Sequence, residues 1–181
     1  MKKILLSFSL IAGLTLSVFA QQQNQKIKVG IGGEFLYALG STAEFYNLGY
    51  GVSAQGEYLF SPKLSATLSG GYMVLTINKL FKEIYEEWDV KIDSKTFYPV
   101  KAGLKYNLNK TFYAAAEAGA SISKDKTARG NSFAYAGGLG SSFEVSSKAS
   151  LDFGLRYEEW AVSAKDRLSF IGFRAAYSFG L

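Results

Sequence analysis

From Leu151 to Glu158 apolar and polar residues alternate without a break, with Leu, Phe, Leu and Tyr at odd positions and Asp, Gly, Arg and Glu at even ones. Successive side chains of an extended strand point to opposite faces, so this segment has one oily face and one charged face. The same alternation recurs along most of the chain. It predicts strands over 27–39, 48–60, 64–76, 96–108, 111–123, 133–145, 149–161 and 168–181. Each is longer than the roughly 9–11 residues a tilted strand needs to cross a bilayer.

The connections alternate in length. Ser61-Pro62-Lys63, the Asn109 region and Ser146-Ser147-Lys148 read as tight turns, whereas 40–47, 77–95, 124–132 and 162–167 are longer. Parity ties neighbouring strands together, because a slip of one residue turns every side chain to the other face. The second and third strands are apolar at even positions (Tyr50, Val52, Tyr58; Leu64, Leu68, Tyr72), and a three-residue turn keeps those positions on one surface. The sixth and seventh strands, both apolar at odd positions, are joined in the same way through 146–148. The expected fold is all-β, an eight-stranded antiparallel transmembrane barrel with short periplasmic turns and longer extracellular loops. A soluble lipocalin-like barrel exchanges inside for outside and shares the alternation. Tyrosines gathered at the strand ends favour the membrane form, where aromatic girdles sit at both interfaces.

The N-terminus adds a compartment. Lys2 and Lys3 precede an apolar run from Ile4 to Leu16 and a small-residue site at Val18-Phe19-Ala20, the anatomy of a cleaved signal peptide. Residues 1–20 are therefore expected to be a leader and 21–181 the barrel domain. Loss of the two lysines takes the formal charge from +5 to +3, with 18 basic against 15 acidic residues. That small, dispersed excess carries no nucleic-acid footprint. The chain has no cysteine, so barrel closure replaces disulfides as the source of stability.

The C-terminal run Phe173-Arg174-Ala175-Ala176-Tyr177-Ser178-Phe179-Gly180-Leu181 places apolar or aromatic residues at the last, third-last and fifth-last positions. It resembles the signal by which the outer-membrane assembly machinery recognises its substrates, departing from it in a terminal Leu181 and in Ala176 at a usual glycine position. With the strand count, the chain resembles the small OmpA/OmpX-type outer-membrane barrels. The resemblance implies a monomer in the outer membrane of a Gram-negative bacterium, in contact with lipid and lipopolysaccharide and assembled by that machinery.

Candidate chemistry falls on the inward face. Glu34, Glu57, Lys101, Lys105, Glu117, Asp152, Arg156, Glu158 and Arg174 all take inward parity, as do Gln55 and Glu144. Eight strands enclose a space about wide enough for side chains to fill. Charges there must pair or keep trapped water. A salt-bridged plug is one outcome, and a narrow porin-like channel for ions or small solutes is the other. Catalysis is disfavoured, because the absence of histidine removes the usual base for a serine nucleophile. Glu158 and Glu159 are adjacent in a strand and face apart, so they make no acid–base pair. No cysteine–histidine metal constellation exists, and no cofactor motif opens a helix.

The loops hold the other candidates. Between Asn78 and Lys95, the residues Leu80, Phe81, Ile84, Tyr85 and Trp88 recur at helical spacing, with Lys82, Glu83, Glu86 and Glu87 opposite. Aromatic residues on a long loop suit a surface-binding role or a cover over the barrel mouth. The basic stretch from Lys124 to Asn131 suits anionic lipopolysaccharide.

Overall fold

The computed structural model describes residues 26–79, 82, 93–124, 131–163 and 166–181. Eight strands form one closed antiparallel barrel in sequence order: β1 (Ile27–Leu39), β2 (Tyr46–Leu59), β3 (Leu64–Ile77), β4 (Lys95–Asn107), β5 (Phe112–Ser123), β6 (Ser132–Ser146), β7 (Ala149–Ala161) and β8 (Arg167–Gly180). Closure is made by β1 against β8, in register from Lys28 with Gly180 to Leu39 with Ser169. Full closure leaves no unpaired strand edge, the condition a sheet must meet inside a membrane.

Alternation decides which side faces out. Ile31, Val52, Leu68, Leu104, Leu139 and Leu155 stand exposed at mid-strand. Tyr37, Tyr50, Tyr72 and Tyr98 ring the end that carries the long connections, and Tyr58, Tyr106, Phe112, Phe143 and Tyr177 ring the other. These rings bracket an apolar belt of the kind expected at the two interfaces of a bilayer. The soluble, inside-out alternative would bury those residues, and they are exposed.

The tight turns have local causes. Asn109 Oδ1 accepts from the backbone N–H of Thr111 at 2.8 Å and of Phe112 at 2.7 Å, an Asx turn that reverses the chain over three residues. Ser61 Oγ does the same for Lys63 and Leu64, at 3.3 and 3.1 Å. The β6–β7 connection differs from the three-residue turn expected at 146–148. Ser146 pairs directly with Ala149, and a register shift lies between Glu144 and Ser146. A two-residue turn plus one extra residue in the strand keeps the odd positions of both strands on one face, because a bulge shifts parity by one. The strand extends beyond the lumen here, and Glu144, of inward parity, is exposed at the barrel end.

The first long connection also departs from the expected loop. Residues Thr42–Phe45 form a single helical turn, α1, and β2 begins at Tyr46. Gly40, with φ of 54°, supplies the left-handed residue that turns the chain off β1. The buried Thr42 Oγ1 accepts from the Ser169 N–H at 2.8 Å. Asn78 donates from its backbone to Phe45 O at 2.9 Å and from its side chain to Ala43 O at 2.8 Å. These bonds fasten α1 across the mouth, where Ala43 and Phe45 rest on the apolar cluster beneath.

That cluster fills the long-loop end of the lumen. Leu36, Met73, Leu75, Phe97, Trp160, Leu168 and Phe170 are all buried and mutually packed. Trp160 lies 5.1 Å from both Phe97 and Phe170, ring centre to ring centre, and Leu75, Trp160 and Phe170 have no exposed surface.

Wall glycines give a direct test of this close packing. A Cβ on Gly119 would lie 2.0 Å from Val100 O and 2.7 Å from Lys101 Cα, both backbone atoms, whereas one on Gly137 would meet nothing within 4 Å. Gly119→Ala is therefore expected to destabilise the barrel by about 1–3 kcal/mol, while Gly137→Ala leaves it nearly unchanged. Urea titration of the two refolded variants checks this, and equal losses would contradict it.

Candidate functional site

Below the apolar cluster the lumen turns polar, and the strands bring all nine inward charges together in two groups. In the upper group Glu34 on β1 stands directly opposite Arg174 on β8, with Arg174 Nε 3.5 Å from Glu34 Oε1. Arg156 donates from Nη2 to Glu34 and from Nε to Glu158 at 2.6 Å. Lys101 Nζ lies 3.0 Å from Glu158 and 3.4 Å from Glu117, and Gln55 Nε2 donates to Glu117 at 3.1 Å. Glu158, 1% exposed, also accepts from Trp160 Nε1 at 2.8 Å. It therefore joins the charged layer to the apolar one. A carboxylate this deep is tolerated because two cations and an N–H surround it.

The lower group centres on Lys105. Its Nζ lies 3.2 Å from Glu57 and 3.1 Å from Asp152, and 4.1 Å from the centre of the Tyr113 ring. Tyr113 donates its hydroxyl to Asp152 at 2.6 Å, and Ser65 donates to Glu57 at 2.7 Å.

A regularity links these charges to the glycines. Across the strand ladders, Glu34 faces Gly51, Lys101 faces Gly119 and Glu117 faces Gly103. Arg156 lies between Gly138 and Gly172, and Arg174 faces Gly154. A Cβ on Gly103 would sit 2.8 Å from Glu117 Cγ, and one on Gly138 would sit 2.7 Å from Arg156 Cβ. In so narrow a lumen a long charged side chain needs the room its cross-strand neighbour leaves. Sequence reasoning missed the partnership of these glycines with the charges. The register, once drawn, would have revealed it.

Glu158 and Glu159 diverge as strand neighbours must. Glu159 turns to the outer wall, where the Tyr135 hydroxyl donates to it, with the Tyr157 hydroxyl at 2.9 Å and Arg167 Nη1 at 2.9 Å. This cluster interrupts the otherwise apolar outer surface near its long-loop edge. Leu80, Phe81, Ile84, Tyr85 and Trp88 lie outside the described residues, as do the leader and 125–130 of the basic loop. Among the described residues, no group of three or more Asp or Glu side chains is arranged to hold a metal ion.

Known barrels share this architecture. Ail, the attachment invasion locus protein of Yersinia pestis, is 19% identical, with 87% of this chain and 100% of that one covered at a TM-score of 0.54. OprG of Pseudomonas aeruginosa is 10% identical over 86% of this chain and 95% of its own, and the outer membrane protein AlkL is 14% identical over 90% and 94%; both reach 0.55. At these identities the likeness is one of fold. No curated protein matches at the level of sequence. The outer membrane protein beta-barrel domain family matches residues 6–179, nearly the whole chain. Closed register, outward apolar belt and family match agree, and this chain belongs to the outer membrane protein β-barrel domain family.

Proposed function

We propose that this protein is a non-enzymatic, non-conducting barrel of the outer membrane that serves the envelope structurally and meets surface ligands through its long loops. The observation that carries the reading is the occluded layer of Leu36, Met73, Leu75, Phe97, Trp160 and Phe170 under α1. An ion crossing it would shed its water with no polar group to replace it. The paired charges below supply a polar filling rather than an open path, since every one of the nine has an opposite charge within 3.5 Å or less. Enzymatic chemistry finds no free base in this set.

Surface binding is assigned to the loop 78–95, on the aromatic spacing of Leu80, Phe81, Ile84, Tyr85 and Trp88. Outer-leaflet lipopolysaccharide is the expected neighbour of the basic loop. Residues 1–20 act as the export leader, the last strand presents the assembly signal, and the barrel works as a monomer.

A planar bilayer decides between plug and pore. The refolded barrel, its folding verified by heat-dependent gel mobility, is expected to give no current steps. Reproducible steps that change in Lys101→Ala would replace this reading with the channel.

A further inference from the structure

Between the upper and lower charge groups the lumen keeps a chamber of about 60 Å³, lined in part by Gln55, Thr67, Lys105, Tyr113, Glu117 and Arg174. Two of its lining residues each carry a buried side-chain atom without a hydrogen-bond partner in the protein, Arg174 Nη2 and Thr67 Oγ1. The residues that carry them are themselves deeply buried, Arg174 at 8% and Thr67 at 4% exposure. Arg174 engages Ser53 Oγ at 3.0 Å and Glu34 at 3.5 Å, both through Nε. Its Nη2 therefore has a strong donor to offer. Orphaned buried donors are rare because each forfeits its hydration without return.

Charge and size narrow what completes the site. Glu34, Glu57, Glu117, Asp152 and Glu158 outnumber Lys101, Lys105, Arg156 and Arg174 by one, five carboxylates against four cations. A further anion would add to that excess. A cation would meet the guanidinium of Arg174. Sugars and larger solutes do not fit. A small neutral molecule that both accepts and donates satisfies Arg174 Nη2 and Thr67 Oγ1 together, and the chamber has room for on the order of four waters.

We propose that this chamber is a specific hydration site, with ordered water accepting from Arg174 Nη2 and hydrogen-bonded to the Thr67 hydroxyl. Water thereby finishes the arginine's coordination, and Thr67 is the residue that anchors it. The lumen is then wet below Glu158 and dry above it. The side chains of Glu57, Lys105, Arg156 and Arg174 retain 10–15% accessible surface, whereas Trp160 and Phe170 retain none.

The test combines a high-resolution crystal structure, grown with bromide present, and water-selective NMR of the refolded barrel. Density for water on both atoms is expected, with a water cross-peak at the Arg174 guanidinium that is lost in Thr67→Val and kept in Thr67→Ser. A bromide anomalous peak in the chamber would overturn the proposal in favour of an anion site. No density and no cross-peak would overturn it in favour of a dry void. The inference rests on the closed-lumen reading, and the two fail differently: a pore shows current steps, whereas a dry chamber leaves the bilayer silent and the water signal absent.

Discussion

Replacing Glu158 by alanine is expected to cost about 3–5 kcal/mol of unfolding free energy, the usual consequence of removing one partner from a buried ion pair. Its carboxylate receives Arg156 at 2.6 Å, Lys101 at 3.0 Å and the Trp160 indole N–H at 2.8 Å. Lys101 would keep only the 3.4 Å contact to Glu117, and Arg156 only Glu34. Trp160 would lose the acceptor for a fully buried N–H. The neighbouring Glu159 supplies the control. It sits on the outer wall, itself only 8% exposed, but its one cation partner, Arg167, has a side chain 55% exposed and can turn to water when the carboxylate is gone, so Glu159→Ala should cost less. Urea titration in lipid vesicles, followed by tryptophan fluorescence, separates the two. A loss below about 1 kcal/mol at 158 would mean that the lumen charges are solvated, and the plug reading would fall.

Trp160→Ala is the second large effect, about 3–5 kcal/mol for emptying an aromatic site in a packed core. The indole touches Phe97 and Phe170 in tilted ring contacts, and the surrounding wall is a closed sheet that cannot collapse inward to fill the gap. Trp160→Phe keeps most of the volume and removes the hydrogen bond to Glu158, so a smaller loss of about 0.5–1.5 kcal/mol is expected. Because Trp160 is one of only two tryptophans, the folded fraction is better read by gel mobility than by fluorescence. A loss below 1 kcal/mol for Trp160→Ala would show that the apolar layer is loosely packed and a poor barrier to ions.

Much of the architecture was legible because the two faces of each strand differ in chemistry. At mid-strand, Leu104 and Leu155 alternate with Lys105 and Arg156, and the outcome is a membrane on one side and a polar lumen on the other. Toward the long-loop end this signal disappears. Leu36-Tyr37-Ala38, Met73-Val74-Leu75 and Phe97-Tyr98 are apolar at both parities, so alternation cannot say which residues turn inward. The occluding layer therefore went unread, although loss of alternation at a strand end is itself the mark of a strand buried on both sides. The helical turn at Thr42–Phe45 was missed for a different reason. A single turn has too few residues to show a period, and tertiary bonds from Ser169 and Asn78 hold it. The bulge beside Ser146 was invisible because a bulge and a longer turn have the same effect on parity.

The pairing of Glu34 with Arg174 spans the seam between the first strand and the last. The other members of the upper group come from β4, β5 and β7, so no single hairpin owns the arrangement. A sheet still open at the seam keeps the pairs within β7 and between β4 and β5, but it leaves Glu34 without Arg156 and Arg174. The contacts of Glu34 to Arg156 and Arg174, and of Lys101 to Glu158, join distant strands and arrive together when the ring shuts. An unsealed sheet holds these charges in water, and burial becomes tolerable in one cooperative step when the last strand meets the first.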